Sequence, residues 1–109
     1  MSSSDLPTGL WVEAALQGLT LKGTPFYYVQ KGNHASGLVM LKLSDMRGAC
    51  RLIMQQRNFM SDKLEWINAL NQEQVEERAA DEYIRRSIEN DPDLWVVEIE
   101  DEAMANPFE

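Results

Sequence analysis

The clearest hydrophobic pattern in the chain lies at residues 91–101, where Trp95, Val96, Val97 and Ile99 follow a proline turn and end in acids. Aromatic and β-branched residues fenced in this way predict a strand. Alternation sends Trp95, Val97 and Ile99 to one face and Val96, Glu98 and Glu100 to the other, so its second half has a dry side and a wet side.

Earlier positions follow a helical period. Val12, Ala15, Leu16 and Leu19 form one stripe of a helix over residues 8–22, with Thr8 as its cap and Gly23 as its left-handed stop. Residues 26–31 and 38–43 read as strands joined by the loop Gly32-Asn33-His34-Ala35-Ser36-Gly37. Residues 50–59 make a third strand in a hairpin with the second, and residues 64–67, carrying Trp66, make a short fourth. Asn71 and Gln74 have the form of a helix cap with its reciprocal partner, and Val75, Ala79, Tyr83, Ile84 and Ile88 mark the face of the helix that follows. On its outer side, Asp81 with Arg85 and Glu82 with Arg86 are spaced as i,i+4 ion pairs. Asn90 and Pro92 stop that helix before the last strand.

This order predicts an α+β fold: a mostly antiparallel sheet of four to five strands with two amphipathic helices packed on one face, in the order α-β-β-β-(β)-α-β. Residues 1–101 are expected to form a single domain and residues 102–109 a loose acidic tail.

Charge narrows the function. The net charge of −8 is uneven: residues 1–70 carry seven Lys or Arg against five acids, and residues 71–109 carry three Arg against thirteen acids. An acidic C-terminal third repels phosphate backbones and anionic lipid, so nucleic acid and membrane are disfavoured as partners. Cys50 is the only cysteine, which excludes an intramolecular disulfide and a cysteine-based zinc site. With a thiol that needs no oxidising compartment, no basic-then-apolar leader and no apolar run of about 20 residues, the cytoplasm is the expected location.

Three stretches together carry a resemblance. Residues 91–101, Gly9-Leu10-Trp11-Val12, and the Gly32 to Gly37 loop before Leu-Val-Met-Leu-Lys-Leu resemble the small alphaproteobacterial family catalogued as domain of unknown function 1491. The likeness spans nearly the whole chain. It implies a bacterial, cytosolic protein and carries over no catalytic residue, because the family has no assigned activity.

Candidate chemistry is sparse. Glu98 and Glu100 share a strand face about 7 Å apart, a spacing at which two carboxylates could share a metal or divide acid and base roles. Lys42 or Arg51 on neighbouring strands would sooner neutralise them, so an ion-paired, solvated face is the favoured reading. His34 is the only histidine, and in its loop it reads as an exposed turn residue. Cys50 reads as a small buried hydrophobe. Lys42, Arg47, Arg51 and Arg57 with Tyr27, Tyr28 and Trp66 could form a basic, aromatic sheet face of the kind that grips single strands, which the overall charge opposes. Met46 and Met60 fall in turns and could belong to a contact surface.

No cofactor, metal site or catalytic residue is therefore assigned. The expected function is a non-catalytic protein–protein interaction module, its partner another protein or a second copy meeting it at a sheet edge. The alternative is a small-molecule binder or enzyme with a pocket between the sheet and the first helix, its polar contacts Glu98, Lys42 and His34. The candidate binding positions are His34, Lys42, Arg51, Glu98 and Glu100.

Overall fold

A computed structural model describes residues 6–108. Its elements are α1 (Thr8–Lys22), β1 (Phe26–Gln30), β2 (Val39–Ser44), β3 (Ala49–Asn58), β4 (Lys63–Asn68), β5 (Val75–Glu76), α2 (Glu77–Asn90) and β6 (Trp95–Glu100). One sheet runs in the order β1-β6-β2-β3-β4, and the two-residue β5 pairs with β3 off that path. The fold is α+β and the sheet mostly antiparallel, as the order of patterns predicts, but it has six strands and not four to five, the two-residue β5 being the unexpected one. Its one parallel pairing joins β2 to β6, because the last strand enters between the first two.

The two helices lie on opposite faces of the sheet, not on one. Val12, Leu16 and Leu19 of α1 pack on Val39, Leu41, Leu43, Ile53, Trp95, Val97 and Ile99. Ala80 and Ile84 of α2 pack on Met40, Leu52, Leu94 and Val96, with Cys50 and Val75 beside them. The reason is in the central strands. Both β2 and β6 carry apolar residues at both parities, so each face of the sheet needs a cover, and one helix supplies each.

Three local expectations are also corrected. Helix α2 starts at Glu77, because Val75 is buried as strand β5 opposite Cys50 and Asn71 sits in a turn with φ +60°. No side chain caps it; Gly48 O accepts the Glu77 N–H at 3.0 Å instead. At α1, Pro7 holds the cap position and Thr8 is the first helical residue, while Gly23 ends the helix in the left-handed conformation as expected. Residues 102–108 are not loose. Met104 and Phe108 pack against the α1-side core, and Phe108 meets Trp11 edge-on at 5.0 Å and stacks on Trp66 at 5.7 Å. Aromatic burial at Phe108 outweighs the acidity of the segment.

Candidate functional site

The most unusual side chain in the sheet is Lys42, at the centre of β2 and 2% exposed. Register places it opposite Glu98 on β6 and Leu52 on β3, on the face covered by α2. Glu77 and Asp81, one turn apart on α2, reach down to it from half-exposed positions. The Lys42 Nζ stands 2.7 Å from Asp81 Oδ1, 3.3 Å from Glu77 Oε1 and 3.4 Å from Glu98 Oε1. An ammonium has three N–H donors, and each has a carboxylate within reach.

These surroundings decide the protonation state. Burial alone would lower the Lys42 pKa, but the hydrogen bond to Asp81 and the charges of Glu98 and Asp81 outweigh it and hold the ammonium above the usual lysine range. Lys42 is a fixed cation. It has no lone pair with which to act as base or nucleophile near neutral pH. Cys50, buried nearby, is pushed up to about 11, mainly by burial, so its thiol is equally inert.

Asp81 and Glu98 also line an open cleft. Tyr27 and Val29 of the edge strand β1 are 54% and 46% exposed, because α2 covers β2, β3 and β6 and leaves the α2 side of β1 bare. The resulting groove of about 410 Å³ has an apolar floor of Val29, Ile84 and Ile88 and a charged rim of Asp81, Arg85, Glu89 and Glu98. Arg85 is held by Glu89 at 2.9 Å and Glu82 at 3.5 Å, and Asp81 by Lys42, in place of the i,i+4 pairs expected along the helix. Glu100 lies beyond Glu98 and accepts the Tyr27 hydroxyl at 3.2 Å, its charge raising the pKa of that phenol.

The structure thus brings Lys42, Glu98 and Glu100 to one side of the sheet and leaves His34 and Arg51 elsewhere. Arg51, opposite Leu43 in register, faces the α1 side and donates to Met104 O at 3.0 Å, so it neutralises neither glutamate. It lines a separate cleft of about 570 Å³ with Trp66, Asn68 and Glu73. The expected pocket between the sheet and α1 with Glu98, Lys42 and His34 does not form, because Lys42 and Glu98 face α2. The basic, aromatic face does not form either: Lys42 is buried on one side, and Arg51 and Trp66 lie on the other. Among the described residues, no three His, Cys, Asp or Glu side chains are grouped to hold a metal ion. Where three acids do converge, the Lys42 ammonium occupies the point of convergence.

His34 belongs to a junction of backbone contacts. Its carbonyl accepts the Gly9 N–H at 2.8 Å and the Ala35 carbonyl accepts the Thr8 N–H at 3.4 Å, so the first donors of α1 are already used. On the other side of the loop, Trp95 Nε1 donates to Asn33 O at 2.8 Å and Asn33 N–H to Asp93 O at 3.0 Å. A Cβ at Gly32 or Gly37 would lie 2.1 or 2.0 Å from that Asp93 oxygen. The three sequence stretches near residues 9–12, 32–37 and 91–101 therefore meet in space, and what they build is a structural joint.

Sequence reasoning missed Glu77, Asp81, Val29 and the Ile84–Ile88 floor as parts of one site. The signal that finds them is Lys42 itself: a lone lysine inside an apolar strand must meet acids from whatever packs on its face.

A profile of the family described as protein of unknown function (DUF1491) matches residues 6–109. No curated protein matches the chain. The crystal structure of a DUF1491 family protein from Caulobacter crescentus CB15 is 33% identical over 89% of each chain, with a TM-score of 0.78. An NMR structure of a DUF1491 family protein from the same organism is 31% identical, over 94% of this chain and 91% of that one, with a TM-score of 0.81. Protein Atu0922 from A. tumefaciens, 24% identical over 88% and 86% of the two chains, shares the fold with a TM-score of 0.67. Profile, identity and shape agree over nearly the full length, and the chain belongs to the DUF1491 family.

Proposed function

We propose that this protein is a non-catalytic protein-interaction module whose docking surface is the groove between β1 and α2. The observation that carries this reading is the bare α2-side face of β1, where Tyr27 and Val29 are half-exposed and Val29 shares an open apolar floor with Ile84 and Ile88. The states of Lys42 and Cys50 support it, because the buried amine and the buried thiol are both held in unreactive form. Its place of work is the cytoplasm, which suits the unpaired thiol; among the described residues no helix is long and apolar enough to cross a membrane.

A photo-crosslinking side chain placed at Val29, and as a control at exposed Glu13 of α1, tests the reading in the host cell. A discrete protein adduct at position 29 that is absent at position 13 is the expected result. Equal labelling at both positions, or a native mass spectrum with a small-molecule adduct bound in the groove, overturns it.

A further inference from the structure

Among the described residues the outer edge of β1 is unpaired, so it adds a row of hydrogen-bonding groups to this groove, and the charge on the rim says what fits. Glu100 N–H donates to Pro25 O at 3.0 Å, which marks the hydrogen-bonded position at the start of the β1–β6 ladder. The register then runs Phe26 with Ile99, Tyr27 with Glu98 and Tyr28 with Val97. Bonded and non-bonded pairs alternate along an antiparallel ladder, so Tyr27 turns its backbone groups toward β6 and Phe26 and Tyr28 turn theirs outward. The strand is held firmly while it does so: Phe26 and Tyr28 pack edge-on at 6.0 Å, and Tyr28 lies 6.2 Å from Trp95, all on the α1 side. No charged residue lies within β1, so the strand itself places no charge in the way of an added strand.

The register shifts between Tyr28 and Gln30, so the regular edge runs from Phe26 to Tyr28, and a strand laid along it would set one side chain beside Tyr27 and carry the next past the irregularity toward Val29, Ile84 and Ile88. The ends of such a row would meet a rim with three carboxylates, Asp81, Glu89 and Glu98, against the Arg85 guanidinium beside them and the buried Lys42 ammonium beneath, a rim that stays net acidic. A second copy of the chain is a poor occupant. Pairing β1 with its own copy would bring two acidic rims together in a chain of net charge −8, and like charges oppose that approach. A basic occupant gains from the same field.

We infer that the groove takes an extended segment of a partner protein, added as a strand to the free edge of β1, whose groove-facing side chains are apolar at the centre and lysine or arginine at the ends. The inference rests on the groove reading above and names its ligand. Edge addition supplies affinity through backbone hydrogen bonds, and alternate side chains supply specificity.

The test uses the full chain, isotope-labelled, titrated to millimolar concentration with two synthetic heptapeptides. One carries lysine, valine, valine and lysine at alternate positions with threonine between them, and the other replaces both lysines by glutamate. The lysine peptide is expected to shift the amide signals of Phe26 and Tyr28 and to bind about tenfold more tightly than the glutamate peptide, a gap of one decade in Kd that narrows with added salt. Val29→Lys should weaken the lysine peptide by about tenfold while leaving Tm unchanged, since position 29 is open to solvent. Equal or tighter binding of the glutamate peptide, or a dimer whose β1 amides are protected from exchange, overturns the basic occupant and leaves the groove standing. No response of Phe26 or Tyr28 to either peptide overturns the inference. If crosslinking at Val29 is also silent, the groove reading falls with it.

Discussion

Lys42 makes the stability of this protein asymmetric with respect to its own ion pairs. Its ammonium is buried, while Glu77 and Asp81 are half-exposed and Glu98 is partly so. Removing the cation as Lys42→Met leaves carboxylates that can turn to water, so no uncompensated buried charge remains, and stability should fall by less than the roughly 3–5 kcal/mol of a buried pair broken on one side. Removing the anions together, as Glu77→Gln, Asp81→Asn and Glu98→Gln, strands a buried charge and should cost about 3–5 kcal/mol by urea denaturation. Similar losses from both variants would mean that Lys42 contributes through its charge pairs and not through its burial.

The protonation states add an alkaline limb. Both Cys50 and Lys42 have folded pKa values raised above their ordinary ones, so the unfolded chain releases each proton first as pH rises. Stability from Cys50 is complete below about pH 8.5 and fades toward its folded value of about 11, while that from Lys42 begins to fade only above about pH 10.4. Denaturation midpoints should be flat from pH 7 to about 8.5 and then fall, and Cys50→Ala should delay the onset toward pH 10. An unchanged onset in that variant would remove Cys50 from the explanation. From sequence, Lys42 or Arg51 was legible as a neutralising partner for Glu98, but which of the two was not, because that depends on where the last strand enters the sheet. Glu77 and Asp81 were not, because finding them required knowing which face α2 covers.

At the scale of elements, the loop between β1 and β2 and the C-terminal segment are held by contacts that composition conceals. Gly37 is buried against the Asp93 carbonyl, and backbone cannot swing aside as a side chain can. Gly37→Ala should therefore cost about 1–3 kcal/mol, whereas Gly18→Ala, with open space around its Cβ, should stabilise α1 by up to about 1 kcal/mol. Thermal melts of the two variants should move in opposite directions. The glycines were readable as a loop, but not as a socket for a carbonyl some 60 residues away in the chain. The same gap explains the tail. Acids at 100–102 suggested solvent, yet Phe108 lies between Trp11 and Trp66, one from α1 and one from β4. Phe108→Ala should cost about 1–2 kcal/mol, less than the roughly 3–5 of a fully buried phenylalanine, with a red shift in tryptophan emission. An unshifted spectrum would return residues 102–108 to the solvent.

For the whole molecule, the decisive feature is that β6 stands between β1 and β2. Helix periods, the β2–β3 hairpin and the meander into β4 were legible because each depends on residues close in sequence. The place of the last strand was not, since the choice depends on both faces at once. Only a central slot buries Trp95, Val97 and Ile99 under α1 while burying Leu94 and Val96 under α2. It follows that, among the described residues, β1 has no partner in the sheet other than β6, and that the α1-side core lacks three of its ten buried members without it. A chain ending at Asn90 keeps both helices and five strands in sequence, yet β1 is left unpaired and β2 loses one of its two neighbours. At roughly 25 cal/mol per Å² of apolar surface, the lost burial of Trp95, Val96, Val97 and Ile99 comes to about 6–12 kcal/mol, as large as the roughly 5–15 kcal/mol by which a whole domain is stable. That truncated chain should show no near-ultraviolet dichroism and no cooperative melt, and a peptide of residues 91–109 added in excess should restore both. A cooperative transition in the truncated chain alone would show that β2, β3 and β4 with α2 form a core of their own, and that β6 joins a fold already made.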